Sequence, residues 1–518
     1  VSAGHESSPI ARRFAQLAVE QGTHTAITFR ADPVQEPTPQ VCDFAKLWRR
    51  VERVTAHLQA SFGIQPGDRV AWLGLNHELQ LVTLVACARL GAMFMPLNYR
   101  LAVPELQRVV DDAQPALLIH DPAHATQASA LVREGLILAG QDALIATSSP
   151  RGLPLPEVSA HAPVLLVYTS GTTGQAKGAV HTQAAVLSNA KASDWAHGFG
   201  PEDIVLSVLP LFHVGGLCIQ TLPALLAGAQ VVLHPRFDAA AWLQELTTSR
   251  PTLSLLVPAT LRAVFEHPDW MASDVSCLRG IMTGSSTLPL SYLEAFHRRG
   301  VPVGQVYGST ETGPVSVVLA LDQAVAHAGA TGWPHPEAEI KLVDEQGQVI
   351  PPDQLERTGE VCVRATNLMR GYWSQQGELG LGLTNAWFHT GDLGQRAASG
   401  CLTIVGRSKD MIISGGENIY PAEIENLLID WPGVAECTVV GLPDERWGEV
   451  PVAVIVRDAH AAGAALSEPG ILQHLQGRIA RFKLPRRVVF VQALPKSALG
   501  KVQKPRVVDM ISATAHPI

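Results

Sequence analysis

The chain is short of cysteine, aromatic residues and charge, and each shortage closes off a class of protein. Its seven cysteines (42, 87, 218, 277, 362, 401, 437) are odd in number, scattered and never spaced as CxxC. That excludes a disulfide framework or a zinc site built on paired thiols, and it reads as a set of reduced, packing cysteines in a cytoplasmic protein. Aromatic residues make up 6% and charged residues 17%, against 47% hydrophobic residues, the balance of a folded globular protein rather than a disordered one. Basic residues are not in excess: 39 Lys plus Arg against 47 Asp plus Glu leave a formal charge of −8. Nothing therefore points to nucleic acid, and anionic substrates must be held by local basic groups. No apolar run reaches membrane length without interruption. The most apolar stretch, Leu79 to Leu97, contains Arg89 and reads as a buried helix and strand. The N-terminus, VSAGHESSPIARRF, has no apolar h-region and does not read as a secretory signal, and its missing initiator Met points either to processing or to a remnant of how the chain was expressed.

What is present is an alternation of strand and helix patterns. Phe44, Leu47, Val51, Val54 and Leu58 step by three and four, which predicts an amphipathic helix over Cys42 to Gly63 with Gly63 at its C-cap. A strand (Arg69 to Leu75), a helix ending near Gly91, a strand (Met93 to Leu97), a helix opened by Pro104 and a strand (Ala116 to His120) follow. Asp142 to Val158, with three prolines, reads as a linker. Strands then recur at Ile204 to Leu209, Gln230 to His234, Leu253 to Val257, Leu278 to Thr283 and Val303 to Tyr307. This order predicts doubly wound, mainly parallel sheets. From Ala338 the texture changes to short strands and turns, a small antiparallel or barrel-like unit. After Gly406, a strand pair at Cys437 to Gly441 and Val452 to Val456, with helices at Pro421 and after Ser467, predicts a compact α+β domain. The expected fold is thus α/β. A large N-terminal region (1–406) carries doubly wound sheets plus the barrel-like unit, and a small α+β C-terminal domain (407–518) follows.

Residues 168–178, YTSGTTGQAKG, follow the apolar run Pro163 to Val167, so a strand enters a glycine- and hydroxyl-rich loop. Gly171, Gly174 and Gly178 let backbone N–H groups come close to phosphate oxygens, while Thr169, Ser170, Thr172, Thr173 and Lys177 supply further donors. This is not the usual P-loop, because Gly178 rather than Ser or Thr follows Lys177.

The stretch resembles the signature loop of the adenylate-forming superfamily, which holds acyl- and aryl-CoA ligases, firefly-type luciferases and peptide-synthetase adenylation domains. Bacterial acyl- and aryl-CoA ligases are the most similar members. The superfamily usually has Pro where this chain has Ala176; the change loosens the loop without removing a phosphate donor, since proline has no N–H. Further motifs in the same order carry the resemblance over nearly the entire chain. In YGSTET, it implies that Glu311 is a Mg²⁺ ligand, with Thr310 and Thr172 hydroxyls at the α-phosphate or metal, beside Tyr307 and Gly308. Gly284, Ser285 and Ser286 correspond to the adenine-flanking loop. Asp392 in WFHTGDLG, expected in a turn, would accept both ribose hydroxyls, with Arg407 in support. Lys501 in LPKSALGKVQK is implied to be the adenylation lysine, bridging carboxylate and α-phosphate, while Lys496 and Lys504 face solvent. The resemblance also implies that Lys409 is the hinge between the large domain (1–406), which binds acid and ATP, and a mobile small domain (407–518), which carries the catalytic lysine.

By the same resemblance, His213 in LPLFHVGG lines the carboxylate pocket and takes part in catalysis. Val214, Gly215, Val257, Pro258, Thr283, Val306, Gly308 and Gly313 form the rest of an apolar wall suited to an uncharged aryl or aliphatic acid. Arg100, Gly415, Gly416, Trp447 and Arg486 (or Arg487) are the implied coenzyme A contacts. The implied activity is ATP-dependent acid–CoA ligation through an acyl-adenylate, releasing pyrophosphate and AMP, with ATP, Mg²⁺ and coenzyme A required. Delivery to a carrier-protein thiol, and a nucleotide-binding protein without ligase activity, are the alternatives. Benzoate-like, cinnamate-like, succinylbenzoate-like and medium-chain acids all remain open, and a homodimer is compatible with a sequence that specifies no assembly.

Overall fold

The computed structural model describes residues 6–32, 38–131, 133–145, 154–170, 176–284, 288–355, 357–374, 383–384, 386–414, 417–444, 446–459, 461–497 and 500–513. Four sheets organise them. A nine-stranded sheet runs, in spatial order, Trp333–Pro334, Val317–Leu319, Val303–Tyr307, Gly280–Gly284, Leu253–Leu256, Ile204–Ser207, Gln230–Leu233, Thr25–Phe29 and Gln40–Asp43. Its central six strands are parallel, and antiparallel strands close both edges. A seven-stranded sheet has a parallel core of Pro163–Ser170, Met93–Leu97, Arg69–Leu73, Leu117–His120 and Ile137–Gly140. Two doubly wound halves thus match the alternation in the sequence, as expected when helices cover both faces of a parallel sheet.

The helices start and stop where local chemistry dictates. Asp43 caps Phe44–Ala60 by accepting from Lys46 N–H, so the strand and not the helix takes Cys42. Ser61 ends that helix and Gly63, at φ +68°, turns the chain two residues later than a cap would. Glu78–Leu90 is buried all round and is stopped by Gly91 at φ +66°. Arg89 is accommodated there by pairing with Glu6 at 2.8 Å and stacking on Trp48. No helix among the described residues is long and apolar enough to cross a membrane. Four predicted strands end one or two residues early and two match their predicted bounds, whereas the predicted pair at Cys437 to Gly441 and Val452 to Val456 is longer than expected, and the strand Ile137–Gly140 was missed because it is short and half exposed. Part of the predicted linker, 146–153, lies outside the described residues.

The third sheet, Ala338–Val343, Gly359–Ala365, Trp387–Arg396 and Leu402–Arg407 with two short strands, is antiparallel throughout. The fourth pairs Val434–Asp444 with Gly448–Arg457, flanked by Ile412–Ser414, Glu417–Ile419 and Arg487–Val491. Apolar clusters pack on both its faces, one under Pro421–Ile429 and Glu468–Leu475, the other under Lys504–Ala513. Arg262 donates to Ala435 O, and Ser291 to Asp430, joining this last unit to the nine-stranded sheet's helices.

Candidate active site

The glycine-rich motif is the tip of a β-hairpin. Pro163–Ser170 returns antiparallel as Ala176–Thr182, with Thr169 opposite Lys177 and Ser170 opposite Ala176. Gly171, Thr172, Thr173 and Gly174 lie outside the described residues, as do Ser285, Ser286, Gly415 and Gly416. Gly178 is required for packing: a Cβ there would sit 2.7 Å from Leu166 and 3.0 Å from the Tyr168 ring, which itself donates to Asp112. Lys177 reaches over the Tyr372 ring, 5.3 Å to its centre.

Tyr372 was not singled out from the sequence, yet it links two motifs. Its strand, Gly371–Tyr372, adds to the hairpin edge, and its hydroxyl donates to Glu311 Oε1 at 2.9 Å. Met369 N–H donates to Glu311 O at 2.8 Å, so backbone and side chain of Glu311 are both held against the hairpin. A hard carboxylate fixed beside a cationic loop suits Mg²⁺, and Glu311 would hold it. The preceding turn is built around two glycines. A Cβ on Gly308 would come 1.9 Å from Pro314 O, and Gly313, at φ +92°, faces Asn367 O at 2.5 Å. Thr312 Oγ1 accepts from Ser309 N–H at 2.8 Å, and Thr310 is buried.

Asp392 lies within the strand Trp387–Arg396 rather than in a turn. The expectation failed because Gly391, at φ +69°, kinks the strand without ending it, and pairing with Leu402–Arg407 resumes directly at Asp392 and Arg407. The carboxylate is buried, accepts from Tyr307 O–H at 2.9 Å and pairs with Arg407 Nε at 2.7 Å. Burial raises its pKa; Arg407, Tyr307 and Lys501 oppose that. Two donors on four lone-pair sites leave room for a diol. Glu360, also unanticipated, braces this segment by accepting from Gly391 N–H and pairing with His389. With Cys362, whose Sγ is 3.4 Å from His389 Nδ1, these residues form a mixed donor cluster that cysteine spacing did not reveal.

Lys501 follows Gly500, at φ +78°, in a loop closed by Ser497 N–H on Lys501 O at 2.7 Å. Its side chain is exposed by surface area, yet the walls around its ammonium and the charges of Arg407 and Lys409 lower its pKa, against the pull of Asp392. It also acts on His213, whose pKa is lowered to about 4 by burial and by this charge. Both lysines expected in solvent are ion-paired: Lys496, exposed as expected, with Glu436 at 2.7 Å, and Lys504, only partly exposed, with Glu425 at 2.9 Å. Acidic partners on Val434–Asp444 and Pro421–Ile429 captured them, while Lys501 has no ion pair among the described residues. His213 Nδ1 accepts from Gly215 N–H at 3.0 Å, so the neutral ring carries its proton on Nε2 and presents a donor.

After His213 the chain forms a π-helix, Gly215–Thr221. Its widened turn leaves carbonyls that neighbours satisfy: Thr221 Oγ1 donates to Gly216 O at 2.6 Å, Asn189 to Cys218 O at 2.7 Å and Ser193 to Ile219 O. Val214 is buried in the main core. Val306 packs with Leu209, Ile219, Leu255 and Met282, with Val257 at the edge. Thr283 is buried with its hydroxyl unpartnered, and Pro258 opens the helix Pro258–Phe265. Trp447 and Arg486 meet, 5.3 Å from guanidinium to ring, whereas Arg100 lies over Tyr99 and Phe212, next to His213. Lys409 sits in the exposed turn Ser408–Asp410 that follows Arg407.

Residues 14–373 match the AMP-binding enzyme family and residues 423–501 match the AMP-binding enzyme C-terminal domain. The chain is 45% identical to an indoleacetate–CoA ligase of Aromatoleum aromaticum over 482 residues, 90% of this chain and 93% of that protein. It is 39% identical to a feruloyl-CoA synthase of an Amycolatopsis species, covering 89% of this chain and 92% of the relative. Among solved structures, o-succinylbenzoate CoA synthetase of Bacillus subtilis with its acyl-adenylate intermediate superposes with a TM-score of 0.84 at 30% identity, over 96% of this chain and 97% of that one. The same synthetase is known with ATP and magnesium ion. Matched along both its large and its small unit, the chain belongs to the AMP-binding enzyme family.

Proposed function

We propose that this protein is an AMP-forming acid–thiol ligase that joins an aromatic carboxylic acid to coenzyme A. A carboxylate oxygen attacks the α-phosphorus of ATP, a new O–P bond forms, and the bond to pyrophosphate breaks. The coenzyme A thiol then attacks the acyl carbon, and the acyl–oxygen bond breaks to release AMP. The reading rests above all on the match of residues 14–373 and 423–501 to the AMP-binding enzyme family and its C-terminal domain, and its centre is the Lys501 ammonium, whose charge acts on both His213 and Asp392. There it offsets the repulsion between carboxylate and α-phosphate, and His213 Nε2–H donates to the acid. Asp392, held by Tyr307 and Arg407, takes the ribose diol, and the hairpin with Lys177 takes the phosphates. Mg²⁺ at Glu311 would supply charge neutralisation on the phosphates.

Trp447 with Arg486, and Gly415–Gly416, are the coenzyme A contacts in this reading; Arg100, beside Phe212, belongs nearer the acid. A large unit of residues 1–406 and a small unit of 407–518, hinged at Lys409, exchange the adenylation and thioester geometries. Seven free cysteines support a cytoplasmic location. The acid is aromatic in this proposal because the wall of Val306, Leu255 and Met282 is apolar and indoleacetate and ferulate are the acids of the two relatives above. The test is pyrophosphate release over a panel of aromatic and medium-chain acids, with and without coenzyme A. Release with aromatic acids, followed by AMP and thioester formation only with coenzyme A, is expected. Adenylation that ignores coenzyme A would indicate a carrier-protein thiol, and no release with any acid a protein that only binds nucleotide.

A further inference from the structure

We propose that Gln220 determines the acid specificity of this site. Its amide meets a hydrogen-bonding group on the substrate ring, and the preferred substrates are planar aromatic acids carrying an N–H or O–H on the ring edge remote from the carboxyl. The proposal rests on the acid-ligase reading above and goes one step further.

Gln220 is 2% exposed, yet neither its Oε1 nor its Nε2 has a hydrogen-bond partner among the described residues. Every polar neighbour on the same π-helix is provided for. Thr221 is shared between Ser207 and Gly216 O, Cys218 O takes Asn189, and Ile219 O takes Ser193. Leaving both ends of one amide unpaired in such a setting is unfavourable, and a π-helical turn is a common way to aim a side chain at a function.

The amide borders a cavity of about 10 Å³ together with Ser207, Leu209, Gly216 and Leu255. That is space for a single polar atom of a ligand, not for a ring. Leu209 and Leu255 also belong to the buried apolar cluster of Ile219, Met282 and Val306, and Val306 is among the residues the acid-ligase reading gives to the acid pocket. The polar spot therefore borders that apolar cluster. His213 precedes the π-helix and, in that reading, meets the carboxylate. Gln220 is five positions beyond Gly215, at most about 8 Å along the helix at 1.5 Å per residue, a span that an arylacetic acid can bridge. Gly216 keeps the intervening backbone close, since a Cβ there would lie 2.3 Å from Pro210 O. Sequence alone concealed this, because Gln220 sits inside the apolar run GGLCIQTLPALL and resembles a helix-surface residue.

The experiment compares kcat/KM for thioester formation by the full chain on two matched pairs: indole-3-acetate against 1-benzothiophene-3-acetate, and 4-hydroxyphenylacetate against 4-methylphenylacetate. In at least one pair the wild-type protein should favour the hydrogen-bonding acid by about tenfold or more, because binding the analogue leaves the buried amide unpaired. Gln220→Met should bring that ratio near one, mainly by losing activity on the polar acid. Merely structural damage would lower both members of a pair together. Near-equal use of both members in both pairs by the wild-type protein overturns the proposal without a variant, as does a preference that survives Gln220→Met. Failure of all four acids and of the wider panel to release pyrophosphate would instead remove the ligase reading itself, and this inference with it.

Discussion

Lys501 and Asp392 show how one residue's role depends on the charges arranged around it. Of three lysines within nine residues, two are neutralised by glutamates, and Lys501 has no ion pair among the described residues, which in the proposed reading leaves it for the acid and nucleotide. Lys501→Ala should therefore slow acid-dependent ATP–pyrophosphate exchange by roughly 10²–10³. Transfer to coenzyme A from a supplied acyl-adenylate should stay close to wild type; equal loss in both half-reactions would contradict the role. Asp392 carries two protein donors, and Tyr307→Phe removes one while leaving the ring in place. Losing that bond, about 1 kcal/mol, should raise the KM for ATP roughly fivefold with little change in the KM for the acid.

At the scale of elements, the π-helix and the signature hairpin are both held from outside themselves. The hairpin edge is completed by Gly371–Tyr372, which returns nearly two hundred residues later to clamp Glu311. The π-helix depends on Asn189, whose amide donates to Cys218 O at 2.7 Å and accepts from Val315 N at 3.2 Å. Asn189→Ala would leave both backbone groups buried without partners and should destabilise the protein by about 1–3 kcal/mol, read from the urea midpoint. It should also raise the KM for the acid more than that for ATP, since in the proposed reading the π-helix lines the acid side.

For the whole molecule, burial of imidazole couples stability to pH. His181 and His197 are both buried, and desolvation lowers each to about 4 from 6.5. The folded state keeps them neutral while the unfolded chain binds protons below pH 6.5, so their contribution is present above that pH and is lost as pH falls toward 4. Each should tilt the stability curve by up to about 1.4 kcal/mol per pH unit in that window. Urea midpoints measured from pH 7 to pH 4.5 should fall accordingly, and His197→Gln should flatten the slope. Among the described residues, Arg262 to Ala435 O and Ser291 to Asp430 tie the terminal unit to the helices of the nine-stranded sheet.

The alternation of apolar strands with amphipathic helices was enough to establish two doubly wound sheets, and contiguous motifs named Glu311, Asp392 and Lys501. Such patterns are local: periodicity and short loops depend on residues a few positions apart. What joined those motifs was legible only in three dimensions. Tyr372 under Lys177, Glu360 behind Gly391 and the glutamates on Lys496 and Lys504 are contacts between distant segments. The same holds for the strand around Asp392, where a single left-handed glycine kinks the chain and pairing continues, and for Gln220, whose unpaired amide depends on which neighbours are already engaged. Sequence determined which chemical groups this protein owns; tertiary packing decided which are spent on one another and which are left to meet a substrate.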